Sequence, residues 1–276
     1  MQNSFIDSSR EERLDPISVE IRNKLLDIFQ KTGKGHLGSA FSLVEILRVL
    51  FDSYLTFGKE ANDKLIISQG WASLVYYYFL ARAGQINPSE LDSFLKFDSN
   101  LGGCIESTIK GVSASTGSCG HGLPIGVGLA YAYKLQSIQK NVFVIVGDGE
   151  LGEGSIWEAL MSAARKKLDN LIVIVDYNKV QCSGDVKTIT CLEPLRGKFE
   201  NFGFDFYEVN GHSVMESSNL LKKITGKKNG VPKLLLSHTV IGKGITSLEN
   251  SFDAHWVGKI DVSKYSLYYR ELNEIA

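Results

Sequence analysis

Thirty residues separate Asp148 from Asn178, and the segment around them constrains the fold more than any other. Residues 141–180 read NVFVIVGDGELGEGSIWEALMSAARKKLDNLIVIVDYNKV. The first apolar run, 142–146, has the length and composition of a buried strand. Gly147-Asp148-Gly149 makes a tight turn, residues 155–167 have helical spacing, and 171–175 is a second buried strand. This is a βαβ unit, which puts both strands in one parallel sheet. Asp148 and Asn178 then follow the carboxyl ends of the strands, on the edge where ligands bind.

Two chemistries fit that edge. A carboxylate and an amide oxygen side by side suit a hard cation, Mg²⁺ or Ca²⁺, and Mg²⁺ keeps phosphate oxygens and water in its shell. The same stretch also matches the dinucleotide pattern Gly147-x-Gly149-x-x-Gly152, with Asp176 placed to hold a ribose hydroxyl. Asp148 tells against a bare dinucleotide, because its carboxylate would face the pyrophosphate and repel it. A bound cation reverses that sign. The segment therefore favours a metal holding a diphosphate, with a nucleotide-dependent oxidoreductase as the rival.

Elsewhere, helices are expected near residues 17–32, 43–53, 72–83, 89–96, 123–136, 194–202 and 214–225. Strands are expected at 64–67, 205–209 and 233–237. Alternating strands and helices imply an α/β fold, a mostly parallel sheet with helices on both faces. The 276 residues make one large domain, 1–276, by the usual size rule. Gly122, Gly126 and Gly128 open a helix and point to close backbone packing, including against a helix across an interface.

Composition narrows the function classes. Thirty basic against thirty-one acidic residues leave no field to draw in nucleic acid. Hydrophobic residues are 43% and charged residues 22%, which excludes a disordered chain. The start, MQNSFIDSSREERLD, has no apolar core for a signal peptide, and the longest apolar runs, about eight residues, are too short to cross a bilayer. Cys104, Cys119, Cys182 and Cys191 lack CxxC spacing and read as free thiols in a reducing compartment. A cytoplasmic enzyme subunit is the expectation.

GDG followed about thirty residues later by Asn resembles the thiamine-diphosphate signature, and the surrounding motifs resemble the N-terminal, diphosphate-binding domain of transketolase. Gly35-His36-Leu37-Gly38-Ser39 is similar to that family's GHxGS/A segment. Residues 115–122, STGSCGHG, are similar to its TGSLGHG loop. The stretch from Glu249 to His255 resembles its EN-to-WH segment, with Ala254 where Trp is usual. The matched motifs run in order through nearly the whole chain. No segment resembles the family's second, pyrimidine-binding domain with its catalytic glutamate, or its C-terminal domain. The resemblance therefore implies one subunit of a split transketolase. Its partner is a chain carrying the pyrimidine-binding and C-terminal domains, in an α2β2 heterotetramer. The implied reaction moves a two-carbon unit from a ketose to an aldose, on sugar or sugar-phosphate substrates, with thiamine diphosphate and Mg²⁺ (or Ca²⁺).

The resemblance also implies roles. Asp148, Asn178 and the carbonyl of Val180 would hold the metal. His36 and His255 would be the catalytic residues at the sugar, His255 also facing the diphosphate. Ser39, Trp71, Gly117, Ser118, Cys119, Gly149 and Glu150 join Asp148 and Asn178 in contacting the cofactor, and Asp176 orients the loop before Asn178. Glu153 would lie near the subunit interface. Read from residues alone, His36 is an exposed histidine in a loop closing a helix, Ser39 is a helix N-cap, and Glu153 is a first-turn acid suiting a helix dipole.

Two positions depart from the family. In Ser68-Gln69-Gly70-Trp71 the tryptophan stands where a His meets the diphosphate. In Gly102-Gly103-Cys104-Ile105-Glu106 a cysteine replaces another active-site His. Those histidines serve charge stabilisation and proton transfer. Their loss points to an unusual donor or acceptor, or else to a weak or non-catalytic cofactor-binding partner.

Overall fold

The computed structural model describes residues 2–58 and 62–274. Residues 1, 59–61 and 275–276 of the expected 1–276 domain lie outside the described residues. In chain order the elements are α1 (Gln2–Glu11), α2 (Pro16–Thr32), α3 (Leu37–Ser42), α4 (Val44–Ser53), β1 (Lys64–Ile67), α5 (Ser73–Arg82), α6 (Gly122–Leu135), β2 (Val142–Gly147), α7 (Gly154–Arg165) and β3 (Leu171–Tyr177). After β3 come β4 (Val180–Gln181), β5 (Gly184–Asp185), α8 (Val186–Ile189), α9 (Leu195–Asn201), β6 (Asp205–Asn210), α10 (Val214–Thr225), β7 (Lys233–His238) and α11 (Val262–Glu274).

Five strands form one sheet in the order β1-β2-β3-β7-β6, and every neighbouring pair is parallel. β4 and β5 pair as a separate two-residue antiparallel hairpin. The strands show why a parallel sheet reads as unbroken apolar sequence. In β2, Phe143 and Ile145 belong to one core, while Val142, Val144 and Val146 belong to the other. β3 alternates in the same way, Ile172 and Ile174 against Leu171, Val173 and Val175. Both faces are covered, so no position in the run can be polar. One face carries α2, α4, α5, α10 and α11 through residues such as Leu25, Leu47, Val75, Leu221 and Leu272. The other carries α6, α7 and α9 through Val127, Leu160 and Phe199.

Local chemistry sets the element ends. Asp15 caps α2, accepting from Ile17 N at 3.0 Å and Ser18 N at 3.2 Å, with Pro16 at the first position. The helix stops at Gly33, whose φ of 86° turns the chain and sends its N–H to Phe29 O. The helix expected over 89–96 is a 3₁₀ turn, Pro88–Ser93, which ends where Phe94 turns extended at φ −47° and ψ 129°, followed by Leu95 at φ 58°. The sequence pattern did not predict α1, α3, α8, α11 or the β4–β5 hairpin.

The glycines opening α6 do pack closely, but within the chain. A side chain on Gly122 would strike Ser68, and one on Gly126 would strike Val144 of β2. Gly128 faces open space. The close approach is helix to sheet, which corrects the expectation of a helix across an interface for Gly122 and Gly126.

Candidate functional site

The carboxyl ends of β2 and β3 are in register, Gly147 opposite Asp176. Asp148 begins a 3₁₀ turn that runs to Gly152, and Asn178 follows β3 directly. The two loops are stitched together. Asp148 accepts from its neighbour Gly149 N at 2.8 Å and, across the gap, from Lys179 N at 2.6 Å. Asn178 Oδ1 accepts from Val180 N at 2.9 Å, and its amide nitrogen donates to Asp176 at 3.0 Å.

Asp176 is the buried anchor of this edge. Besides Asn178, it accepts from Ser42 Oγ at 2.6 Å, Thr239 Oγ1 at 2.6 Å and Gln69 Nε2 at 3.2 Å. Fully buried and fully engaged, it is closed to a ribose hydroxyl. That removes the residue on which the dinucleotide reading leaned.

Asp148 is also buried. Burial first, and the nearby Asp176 second, push its carboxyl well above the usual range, against the pull of the two backbone N–H groups. No Lys or Arg forms an ion pair with Asp148 or Asp176 among the described residues. Asp148, buried beside a second acid and held in no ion pair, is a carboxylate that a divalent cation would satisfy. No three His, Cys, Asp or Glu side chains group as a metal centre among the described residues. The expected ligand set would not form such a group, since it is one carboxylate, one amide oxygen and one carbonyl.

Asp148 and Asn178 open onto a cleft of about 240 Å³. His36, Ser39, Trp71, Cys119, Gly149, Val180 and His255 line it as well, so most of the sequence-predicted set converges here. No Lys or Arg lines the cleft. A second cavity of about 370 Å³ lies beyond Lys179 and shares Asp148.

His36 is delivered by the turn between α2 and α3, and His255 by a distant segment. An antiparallel bridge, Gly35 to Val257, ties the two backbones, with N–O distances of 3.0 and 2.9 Å. Gly38 makes the approach possible, because any side chain there would collide with the Ala254 carbonyl. The imidazole centroids of His36 and His255 are 5.2 Å apart. Burial, and then His255 beside it, lowers the His36 pKa to about 4, and burial lowers that of His255. Both rings are pushed toward the neutral form. His255 Nδ1 is buried without a hydrogen-bond partner.

Behind the pair lies a buried ionic scaffold. Arg22 grips Glu45 with both terminal nitrogens, at 2.5 and 3.0 Å, and donates to the carbonyls of Phe41 and Lys243. His212 accepts from Val240 N at Nε2 and so donates from Nδ1 to Glu45, at 2.9 Å. Burial alone would raise the Glu45 pKa, yet the Arg22 charge and the His212 hydrogen bond hold it far below the carboxylate range. This network fixes the chain from 240 to 243 against α3, and Gly242 N donates to Gly38 O.

Three expected cofactor residues do not line the cleft. Glu150 Oε1 accepts from Ser68 Oγ at 2.7 Å and Gly120 N at 2.9 Å, and Oε2 accepts from Gly147 N at 2.8 Å. Its charge is spent joining three loops. Gly117 and Ser118 stand back from the cleft, with Ser118 at φ 74° and Thr116 anchoring the loop to Ile67 O. Ser39 is no N-cap: it is the third residue of α3, whose cap position is His36. Cys104 is exposed and outside the cleft lining, although its loop is held at Trp71 by Ile105 N donating to Gly70 O. Sequence reasoning missed Gln69, Gln181 and Cys182 in the lining and Trp256 against His36. Gln69 and Trp256 adjoin residues already singled out, and that adjacency was the available signal.

The family profile described as the thiamine diphosphate binding domain of transketolase matches residues 16–263. The chain belongs to the transketolase family. The transketolase from Campylobacter jejuni, a solved structure, superposes with a TM-score of 0.80 at 30% identity. That match covers 88% of this chain and 41% of that longer one. Two relatives are closer to it in length. An apulose-4-phosphate transketolase subunit of Actinobacillus succinogenes is 38% identical, over 88% of this chain and 90% of that one. The 6-deoxy-6-sulfo-D-fructose transketolase subunit SqwG of a Clostridium species is 32% identical, over 85% and 87%. The transketolase fold of this chain includes the five-stranded parallel sheet whose ends carry Asp148 and Asn178. No described helix is long and apolar enough to cross a membrane.

Proposed function

We propose that this chain, as one diphosphate-binding domain over 1–276, is the cofactor-anchoring subunit of a two-chain ketol transferase. The reading rests on one observation above all. Two adjacent parallel strands bring Asp148 and Asn178 together, unpaired with any base, at a cleft shared with two histidines pushed toward the neutral form. When bound, thiamine diphosphate supplies the carbanion-stabilising chemistry.

The chain's own residues do the rest. Asp148, Asn178 Oδ1 and the Val180 carbonyl hold Mg²⁺ (or Ca²⁺), which offsets the diphosphate charge in a cleft with no Lys or Arg. Ser39, Cys119 and Gly149 contact the cofactor, and Glu150, Gly117 and Ser118 shape the loops that reach it. His36 and His255 hold the sugar hydroxyls. Neutral imidazoles donate from one nitrogen and accept at the other, so each can bind a hydroxyl and pass its proton. Trp71 walls the donor side.

The partner is a chain with pyrimidine-binding and C-terminal domains, assembled as α2β2 in the cytoplasm. Relatives named as transketolase subunits, and a transketolase of which this chain matches 41%, support the existence of a partner chain. Their names, apulose 4-phosphate and 6-deoxy-6-sulfo-D-fructose, make ketoses outside the common sugar phosphates the donor class to test first. A second reading, a cofactor-binding subunit without turnover, draws on the loss of two family histidines at Trp71 and Cys104.

Calorimetry of thiamine diphosphate on the assembled complex, with and without Mg²⁺, tests the central assignment. Asp148→Ala and Asn178→Ala should each abolish Mg²⁺-dependent binding. Unchanged affinity in both variants would remove the metal assignment.

A further inference from the structure

We propose that Tyr177 and Glu193 are positioning residues, a clasp that closes the loop carrying the metal ligands Asn178 and Val180. The proposal rests on the ketol-transferase reading and names what keeps those ligands at the cleft.

Tyr177 ends β3, one residue before Asn178. Its hydroxyl donates to Glu193 Oε1. Glu193 Oε2 accepts from Leu195 N, the first residue of α9, at 2.9 Å. Between them the chain leaves the sheet edge, forms the β4–β5 hairpin and α8, and returns. One carboxylate thus joins the start of the loop to its end and to the helix that follows. Lys198 Nζ also donates to Leu192 O, but that bond ties the end of the loop to α9 and not to its start.

The loop stands between two open spaces. Asn178, Val180, Gln181 and Cys182 line the cleft of about 240 Å³. Lys179, Asp185, Val186, Lys187 and Leu192 line the cavity of about 370 Å³, with Tyr177 and Glu193 in its wall. A loop with space on both sides has few packed neighbours to hold it, so the bonds at its ends set its position. A hydrogen bond to an ionised carboxylate is a strong one of its kind. Inside the loop, Val186 N donates to Lys179 O at 3.1 Å, so movement of the returning segment is passed to the residues beside the metal ligands. The Tyr177 ring has contacts of its own. It meets His238 edge-on with centroids 5.4 Å apart, and Lys179 Nζ lies 5.0 Å from its centre. Tyr177→Phe keeps that ring and removes only the hydroxyl.

The test titrates Mg²⁺ by calorimetry into the complex with its partner at saturating thiamine diphosphate. Tyr177→Phe and Glu193→Ala should each weaken Mg²⁺ binding about tenfold. With Glu193→Ala in place, adding Tyr177→Phe should change the affinity by less than about twofold, because the hydroxyl has already lost its acceptor. Hydrogen exchange at the Lys179, Val180 and Val186 amides should speed up in both single variants, with the β2 and β3 core amides unchanged. Wild-type Mg²⁺ affinity in Tyr177→Phe overturns the clasp. So does a Tyr177→Phe effect that persists in the Glu193→Ala background, or exchange that accelerates equally in loop and strands, which makes the tyrosine a general stabiliser. A wild-type complex that binds no Mg²⁺ removes the metal assignment and the clasp with it, a result distinct from a Tyr177→Phe variant that matches a binding wild type.

Discussion

The backbone N–H of Lys179 donates to Asp148 Oδ2 at 2.6 Å, tying the turn after β2 to the loop after β3. The residue expected to bind the metal therefore also closes the loop that carries the other two ligands. Asp148→Ala should release the Gly149 and Lys179 amides even without ligand. Their hydrogen exchange should speed up by about tenfold or more, with the β2 and β3 core amides unchanged. Exchange at both amides equal to wild type would show that Asp148 does not organise the loop.

Much of this site was legible because parallel strands have a simple grammar. An unbroken apolar run ends at a sheet edge, and the two or three residues after it reach the ligand side. That rule placed Asp148 and Asn178 at the same edge, 30 positions apart in sequence, where the Lys179 N–H joins their loops. The same rule located β1, β6 and β7 to within a residue at either end. What it could not supply was the direction of a side chain within a loop. Glu150 is one position past the turn and looks like a ligand contact, yet three inward donors turn it away from the cleft. α3 was invisible because six residues bounded by His36 and Leu43 carry no clear helical period. The Arg22–Glu45 pair spans 23 residues and depends on packing that no local pattern encodes.

That pair carries a stability prediction. Arg22→Met leaves Glu45 buried with only His212 as partner, and removing one member of a buried pair costs about 3–5 kcal/mol. Urea unfolding of the chain should show a loss of that order. A loss below about 1 kcal/mol would mean that water or a rearranged side chain replaces the guanidinium.

The histidines set a pH dependence. Burial lowers the His36 pKa from 6.5 to about 4, so between those values the unfolded chain binds a proton that the folded chain refuses. The His36 contribution is complete above pH 6.5 and is lost as pH falls toward 4. His255 acts in the same direction. The melting temperature of wild type should fall through this window more steeply than that of His36→Gln. Parallel curves would show that His36 is already protonated in the folded protein.

Trp71 divides substrate selection from core packing. The motif resemblance puts it in the family's histidine position, and its indole reaches the Gly147 turn. Its indole has one N–H donor and cannot carry the charge a histidine can. Trp71→His should raise activity with ordinary ketose phosphates, lower it with the native donor and leave the melting temperature nearly unchanged. An identical donor profile would exclude Trp71 from selection, and a large drop in melting temperature would assign it to the core.

The central claim is that this chain anchors the cofactor but needs a second chain for turnover. The most direct measurement is ketol transfer by the purified chain, alone and after mixing with a subunit that carries pyrimidine-binding and C-terminal domains. With thiamine diphosphate and Mg²⁺ present, the account predicts no transfer from the chain alone and transfer restored on mixing. Ketol transfer by the homogeneous chain in the absence of any partner would contradict it.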